Sequence, residues 1–506
     1  MQAGYSFFRH TRFYLSQIVV YNTIYIRECG TGGYVTELKE QVVVLGGGLT
    51  GLSAGSVLAR AGVNVKVIEA DSTVGGLSKT IHHNGFRFDL GGHRFFTNDK
   101  RLNRFVHDLM QDELIAVSRS SKIFMRDTFL DYPLRPANAF FGLGISTSIR
   151  ILADFGLEKC KGLFQQKKCV SLEDWVVKNF GRTMFDIYFK VYSEKVWGID
   201  CSRISAEWVD RRINGLSLAK ALKNAFFRVS GKKIPTLVDE FYYPKLGIGR
   251  ISDRLKDEIE VCNNVMLDAR VEAIHHDHHE INGIVVRHQG QAELIAGTQF
   301  ISSLPLTQVI KMLSPAPPQH ILDAAARLRF RDLVVVAVMV DKKRVTDQTW
   351  IYIPEAKIPF GRIHEPTNWS ERMAPEGKTL LVIEYFSFKG DRIWSDTDAH
   401  LVKTTVNHLE KLGFLKSRDV CDSRVVRVPK AYPLFEIGYH ELCEELFAYL
   451  GQLRNLHIAG RSGMFRYYNM DHAIESGIRA AEAVMVREMD PEELHREETT
   501  LAGCEG

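Results

Sequence analysis

Apolar and polar positions change rhythm several times along this chain, and each change predicts an element. Val42–Leu45 is an unbroken apolar run of strand length, Gly46–Gly48 interrupts it, and Leu49–Ala61 places its apolar residues at helical spacing. Val63–Ile68 is a second apolar strand, so this stretch reads as a β-α-β unit of about thirty residues. Helical spacing recurs over 100–115, Phe140–Phe155, Leu172–Tyr192 and Ile204–Phe227, and 111–240 therefore reads as mainly helical. Strand signals return at Val265–His276 and Gly283–Val286, separated by polar turns as in a meander. Leu333–Val340, Trp350–Ile353, Thr379–Phe386 and Asn455–Ile458 are further strands, and His472–Arg487 is a last helix.

Composition narrows the classes. A chain of 506 residues is too long for one ordinary core, and 45% apolar with 25% charged residues is a globular balance. A net charge of +4 is small for this length and gives no basic stripe for nucleic acid. The eight cysteines form no C-x-x-C pair, which speaks against a zinc ribbon and for a reduced, cytoplasmic setting; no metal-ligand spacing stands out. Phe13–Ile26 is apolar but too short to cross a bilayer, so residues 1–38 read as a poorly ordered extension; the tail 489–506 reads as disordered. Lys159, Lys161, Lys167 and Lys168 form a basic stretch, read first as a solvated helix face and second as a membrane-surface contact.

The chemistry starts at Gly46-Gly-Gly48-Leu-Thr-Gly51, a G-x-G-x-x-G that follows a strand, opens a helix and leads to a strand ending at Glu69. Gly46 permits the tight turn, Gly48 lets a pyrophosphate approach the backbone, and Gly51 lets helix and strand pack closely. The helix N-terminus offers free N–H groups to phosphate, and Glu69 suits unphosphorylated ribose hydroxyls. Glu69-Ala-Asp-Ser-Thr-Val-Gly75-Gly76-Leu77-Ser78 then resembles the extended fingerprint of the FAD-binding amine oxidase superfamily, and Phe88-Asp-Leu-Gly91-Gly92-His93 resembles its segment beside the flavin ring. Leu456-His-Ile-Ala-Gly460-Arg461 is similar to the segment that closes the FAD site, with Arg461 where an acid is usual. The resemblance implies FAD, held by Gly46, Gly48, Gly51, Glu69, Gly75, Gly76, Leu77, Gly92, His93, Gly460, Arg461 and Met470.

That resemblance also implies an α/β fold: a Rossmann-like FAD domain built from discontinuous segments (39–110, 241–310 and 426–488), a helical insertion (111–240) and a mixed-sheet substrate domain (311–425).

A narrower resemblance runs discontinuously from about 41 to 486. Tyr188-Phe-Lys-Val-Tyr192-Ser-Glu-Lys-Val-Trp197-Gly198, Trp350-Ile-Tyr352-Ile-Pro354 with Pro359-Phe-Gly-Arg362, and Gly460-Arg461-Ser-Gly-Met-Phe-Arg466-Tyr467-Tyr468-Asn469-Met470 resemble the UDP-galactopyranose mutase family. It implies a nucleotide-sugar substrate, with reduced flavin as a nucleophile and no net redox change. Arg362 and Arg466 would grip the diphosphate, since guanidinium groups bind phosphate in bidentate fashion. With His93 at the flavin these are the candidate catalytic residues, and Tyr192, Trp197, Tyr352, Tyr432, Tyr467 and Asn469 would line the substrate. Plainer readings stand beside these: salt bridges for the arginines, core packing for Trp197, a turn for Tyr132, and structural roles for Glu436, His440 and His472, while Arg212 after Trp208 reads equally as a flavin contact or a helix cap. Tyr242-Tyr-Pro-Lys-Leu-Gly247-Ile-Gly249-Arg250 follows the mutase pattern only loosely, so a hydride-transferring oxidoreductase of the protoporphyrinogen oxidase or amine oxidase type stays open. The resemblance leaves room for a reductant such as NAD(P)H and leaves the oligomeric state undetermined.

Overall fold

The computed structural model describes residues 41–132, 145–164, 169–207 and 240–488. The expectations for 1–38, 489–506, Lys167, Lys168, Trp208 and Arg212 lie outside these residues, as does most of the Ile204–Phe227 helix.

The predicted β-α-β unit forms as β1 (Gln41–Leu45), α1 (Leu49–Arg60) and β2 (Asn64–Ile68). β1 pairs in parallel with β2 and, on its other side, with Gln299–Ser302. Asn264–Met266 and Leu456–Ile458 complete a five-stranded parallel sheet with β1 in the middle. The chain leaves β1 between neighbours on both sides, the position where open parallel sheets form a ligand crevice at their strand ends. Both faces are covered, so Val42, Val43 and Val44 are fully buried and the strand reads as a continuous apolar run. Met470–Glu488 is the long helix that packs on α1. The crossing is close because Gly477 has no side chain: a Cβ there would lie 2.1 Å from the Thr50 carbonyl oxygen.

The second large sheet carries the other half of the site. We label its main strands β3 (Phe330–Val340), β4 (Trp350–Tyr352), β5 (Arg362–His364), β6 (Thr379–Ser387) and β7 (Val420–Pro433). The order is β7-β3-β6-β5-β4, extended by Ser121–Met125 and Thr128–Asp131. β3 is buried along its whole length because both faces are packed: Val334, Val336 and Val338 face one apolar cluster, and Leu333, Val335 and Ala337 face another that includes Phe86 and Phe88.

Two expectations need correction. The region from 111 onward is not helical at its start: Leu114–Ser118, Ser121–Met125 and Thr128–Asp131 are strands. The last two are joined by Arg126 and Asp127 at φ 53° and 56°, a left-handed hairpin turn without the Asn-Gly signature that usually advertises one. The Leu172–Tyr192 helix is broken at Gly181 (φ 87°), which ends a helix opened by a Ser171/Asp174 capping box. A second helical run starts at Arg182, passes through a π-helical turn at Phe185–Lys190 and ends as α2 (Val191–Trp197) before Gly198.

Candidate active site

The glycine segments converge at the N-terminus of α1. Gly46 stands at φ 104°, and Gly51 is required for packing, since a Cβ on it would sit 1.9 Å from the Gly46 carbonyl oxygen. A Cβ on Gly48, by contrast, would meet nothing within 4 Å. The loop therefore leaves room at the position where a pyrophosphate approaches, and Gly48 caps α1 with no side-chain hydrogen bond. Glu69 is buried; its Oε2 accepts the Gly47 N–H at 2.7 Å and its Oε1 the Asp71 N–H at 2.9 Å. A carboxylate has about four lone-pair sites, so acceptor capacity remains for ribose hydroxyls. Gly75 donates its N–H to the Gly47 carbonyl at 2.8 Å, and a Cβ on Gly76 would lie 3.4 Å from the Gly48 Cα. Leu77, in the single turn Gly76–Ser78, packs on the Phe88 cluster. A Cβ on Gly460 would lie 2.7 Å from Thr50 Oγ1, and Met470 is buried beside α1. These residues fit an adenine dinucleotide: open backbone at the phosphates, an acid at the ribose.

A buried polar cluster lies where the two sheets face each other. Arg362 on β5 lies opposite Glu384 on β6 and opposite Tyr352 on β4. Its Nη2 is 2.7 Å from Glu384 Oε2 and donates to Tyr432 Oη at 2.8 Å, while the guanidinium stands over Phe386 at 5.0 Å. Burial opposes the Arg362 charge, but Glu384 and the neighbouring tyrosine hydroxyls outweigh it. Burial raises the Glu384 pKa, which Arg362 and the Gly92 N–H oppose. Because a guanidinium does not give up its proton, Arg362 is the fixed charge of the pair.

The other candidates gather around it. Tyr192 meets Tyr352 edge-on at 5.8 Å, and Tyr132 lies 4.9 Å from Tyr352. Tyr432 and Tyr467 lie nearly parallel at 6.5 Å, and the Arg461 guanidinium stands 4.9 and 4.6 Å from their ring centres. Burial raises the pKa of Tyr192, of Tyr432 and of Tyr352, the last to about 12, so all three keep their hydroxyl protons at neutral pH. Trp197 is in the core and touches Tyr432 edge-on at 6.3 Å. Arg466 and Asn469 are exposed on the same turn as Arg461; Arg466 acts electrostatically on the buried Cys443 thiol rather than joining Arg362. Glu436 is on the surface between Arg203 and Arg329, and His440 and His472 are exposed with acids beside them.

His93 follows Gly91 (φ 126°) and is neutral: burial first, then Arg461 and Arg362, draw its pKa down to about 4. His364, two residues after Arg362 on the same strand face, falls to about 3 through burial, Arg362 and His93. Among the described residues His93 Nδ1, Arg362 Nε, and Arg461 Nε and Nη2 are buried without a hydrogen bond. Unmade bonds cost about 1–3 kcal/mol each, so their grouping in one cluster marks where a polar ligand completes the structure. Glu384 and His364 were not foreseen from the sequence. Glu384 had a readable signal, a lone acid within the apolar run Leu380–Phe386. Among the described residues no group of three His, Cys, Asp or Glu could hold a metal ion, and no helix is long and apolar enough to cross a membrane.

The two lowered histidines give a pH expectation. Both bind a proton less readily in the fold than in the unfolded chain, where the pKa is 6.5. Their contribution is thus present above pH 6.5 and lost as pH falls toward 4 and then 3. His364→Phe keeps the stacking on Trp369, at 5.2 Å, and removes the titration. Denaturant unfolding should show the parent losing at least about 2 kcal/mol more than this variant between pH 7 and 4. Equal losses would place His364 outside the acid-sensitive set.

Comparison with known proteins agrees with this geometry. A tobacco (Nicotiana tabacum) chloroplastic protoporphyrinogen oxidase is 22% identical over 81% of this chain and 78% of its own. Others match locally, as a Fusarium fujikuroi phytoene desaturase does: 36% over 78 residues, 13% of that chain. The solved structure of reduced UDP-galactopyranose mutase superposes with a TM-score of 0.76 at 23% identity, covering 89% of this chain and 96% of the other. A putative protoporphyrinogen oxidase from Exiguobacterium sp. 255-15 gives 0.68 at 15% identity, covering 88% and 99%. These likenesses establish the fold. The sequence profile described as flavin containing amine oxidoreductase matches residues 49–485, so this chain belongs to that family and is an FAD-dependent enzyme.

Proposed function

We propose that the enzyme binds a nucleotide sugar and rearranges it without net oxidation, as its resemblance to the UDP-galactopyranose mutases implies. The observation that carries this reading is Arg362: a cation fixed by buried Glu384, with the hydroxyls of Tyr192, Tyr352 and Tyr432 around it and Arg461 beside Tyr432. An apolar or amine substrate has no use for two cations, whereas a diphosphate does. When bound, FAD supplies an electron-rich ring in its reduced state and a hydride acceptor in its oxidised state.

The chain's own residues do the rest. Arg362 uses Nη2 for Glu384 and Tyr432, which leaves its other N–H groups for phosphate oxygens. Negative charge grows on the diphosphate as the anomeric bond breaks, and Arg362 with Arg461 stabilises it without reorganising. The tyrosine hydroxyls donate to the diphosphate or sugar, and the Trp197, Tyr352 and Tyr432 rings exclude water. His93, held neutral, lies at the flavin. Arg466, Tyr467 and Asn469 meet the substrate from the exposed turn. We assign the FAD contacts to Gly46, Gly48, Gly51, Glu69, Gly75, Gly76, Leu77, Gly92, His93, Gly460, Arg461 and Met470. A cytoplasmic reductant such as NAD(P)H would keep the flavin reduced.

The competing reading is hydride transfer from an organic substrate, favoured by the protoporphyrinogen oxidase match over most of the chain. Titration separates the two. UDP and UDP-sugars should perturb the flavin absorbance saturably, and neither a porphyrinogen nor an amine should bleach it. Bleaching by either, with no response to UDP, would reverse the choice.

A further inference from the structure

Lys195 lies two residues before Trp197 on α2, and its ammonium ends inside a loop. Nζ donates to the carbonyl oxygens of Ile353 (2.8 Å), Glu355 (2.6 Å), Ile358 (2.9 Å) and Phe360 (3.2 Å). These four carbonyls belong to the 353–361 connection between β4 and β5. It leaves the sheet directly after Tyr352 and re-enters directly before Arg362, and those two residues are register partners. The Ile353 N–H donates to the Gly361 carbonyl at 2.9 Å, and the Gly361 N–H to the Glu384 carbonyl at 2.9 Å. Gly361 lets the loop end pack on Phe386, since a Cβ there would be 2.6 Å from that ring, and the Lys195 stem lies alongside.

The backbone that carries Lys195 is itself fixed. Arg331 donates to the carbonyls of Val196 (3.0 Å), Lys195 (3.3 Å) and Phe386 (3.0 Å), which satisfies the end of α2 and joins it to β6. Partly buried Lys195 and buried Arg331 therefore tie one helix end to the loop that leads into β5 and to β6, the strands that carry the Arg362–Glu384 pair. One turn earlier the same helix presents Tyr192 to Tyr352. The ammonium has three N–H groups, so the four carbonyls must share them. Here four carbonyls from one loop converge on a single point, as they would around a bare monovalent cation.

We infer that Lys195 is a positioning residue for substrate binding: its ammonium replaces a cation at the centre of the 353–361 loop and so sets where Arg362 and Tyr352 stand relative to Tyr192. This rests on the nucleotide-sugar reading above. Loss of the ammonium lets the loop carbonyls repel one another and shifts the Arg362 end of β5, while the Gly46–Gly51 loop assigned to the FAD pyrophosphate follows β1 of the other sheet and stays as it is.

The test is chemical rescue. Lys195→Ala should keep its flavin and bind UDP about tenfold to a hundredfold more weakly than the parent, the usual consequence of a displaced binding group. Ammonium or potassium chloride should restore most of that affinity by occupying the vacated carbonyl cage. Tetramethylammonium chloride at equal ionic strength should not, being too large. Lys195→Met should show the same loss and no rescue, because its methyl fills the cage. UDP affinity unchanged in both variants, or a loss in Lys195→Ala that ammonium and potassium leave untouched, overturns the proposal. If Lys195→Ala proves too unstable to assay, its melting temperature serves instead: it should rise with ammonium or potassium and not with tetramethylammonium, and an absent rise refutes the cage. If the parent binds no nucleotide at all, the functional reading fails, and the cation dependence of melting still decides on the cage.

Discussion

Arg362→Ala should weaken UDP binding about 100-fold, or about 2.7 kcal/mol, while the protein still carries FAD. The size follows from what surrounds the residue. Arg362 is the cation in the cluster whose position is fixed by a fully buried carboxylate, with Glu384 only 1% exposed. Removing it takes away the charge-assisted bonds to the ligand and leaves Glu384 buried without its partner. Breaking a buried pair in this way costs about 3–5 kcal/mol of stability. The double variant Arg362→Ala/Glu384→Gln separates the two effects. It should recover most of the stability, because a neutral amide needs no counter-charge, yet recover none of the UDP affinity. Urea unfolding and a UDP titration on both variants check this. Recovery of affinity along with stability would mean that Arg362 acts on the fold and not on the ligand.

The second large effect concerns the cofactor. Gly48→Val and Gly51→Ala should both abolish FAD retention, for different reasons. A Cβ on Gly48 meets nothing within 4 Å, so valine costs the apoprotein little but fills the space left for the pyrophosphate. A Cβ on Gly51 would press into the Gly46 carbonyl at 1.9 Å, so alanine separates α1 from the loop and destabilises the apoprotein as well. We expect Gly48→Val apoprotein to melt within about 0.5 kcal/mol of the parent apoprotein and Gly51→Ala to lose about 1–3 kcal/mol or more. Both should purify colourless, with FAD affinity down at least about a hundredfold. A yellow Gly48→Val protein would remove the pyrophosphate from this loop.

What the sequence disclosed follows a physical division. The β-α-β unit was legible because its constraints are local: an apolar run, glycines where a Cβ collides, and an acid at the end of β2. The polar cluster was legible in part. Arg362, Tyr352 and Tyr192 were picked out through resemblance, and the fold brings them together with Tyr432, Arg461 and His93. Glu384, His364 and Lys195 were not, because their roles depend on which strand lies opposite which: Arg362 faces Glu384 only through the register of β5 on β6. Arg466 stands apart from that cluster: its place on the turn leaves the side chain exposed, while Arg461 lies against both Tyr432 and Tyr467. The strands over 114–131 were hidden by a hairpin turn of Arg126 and Asp127 that contains no glycine, although both residues stand at positive φ.

Rearrangement of a nucleotide sugar, with no electrons gained or lost overall, is tested most directly by one incubation: dithionite-reduced protein, held without oxygen, is mixed with UDP-galactopyranose and a panel of other nucleotide sugars, and the products are read by NMR. At least one of them should convert to a ring-size isomer over many turnovers with no further reductant consumed. If every sugar returns unchanged, while the oxidised protein is bleached by a porphyrinogen or an amine, the enzyme is an oxidase and not a mutase.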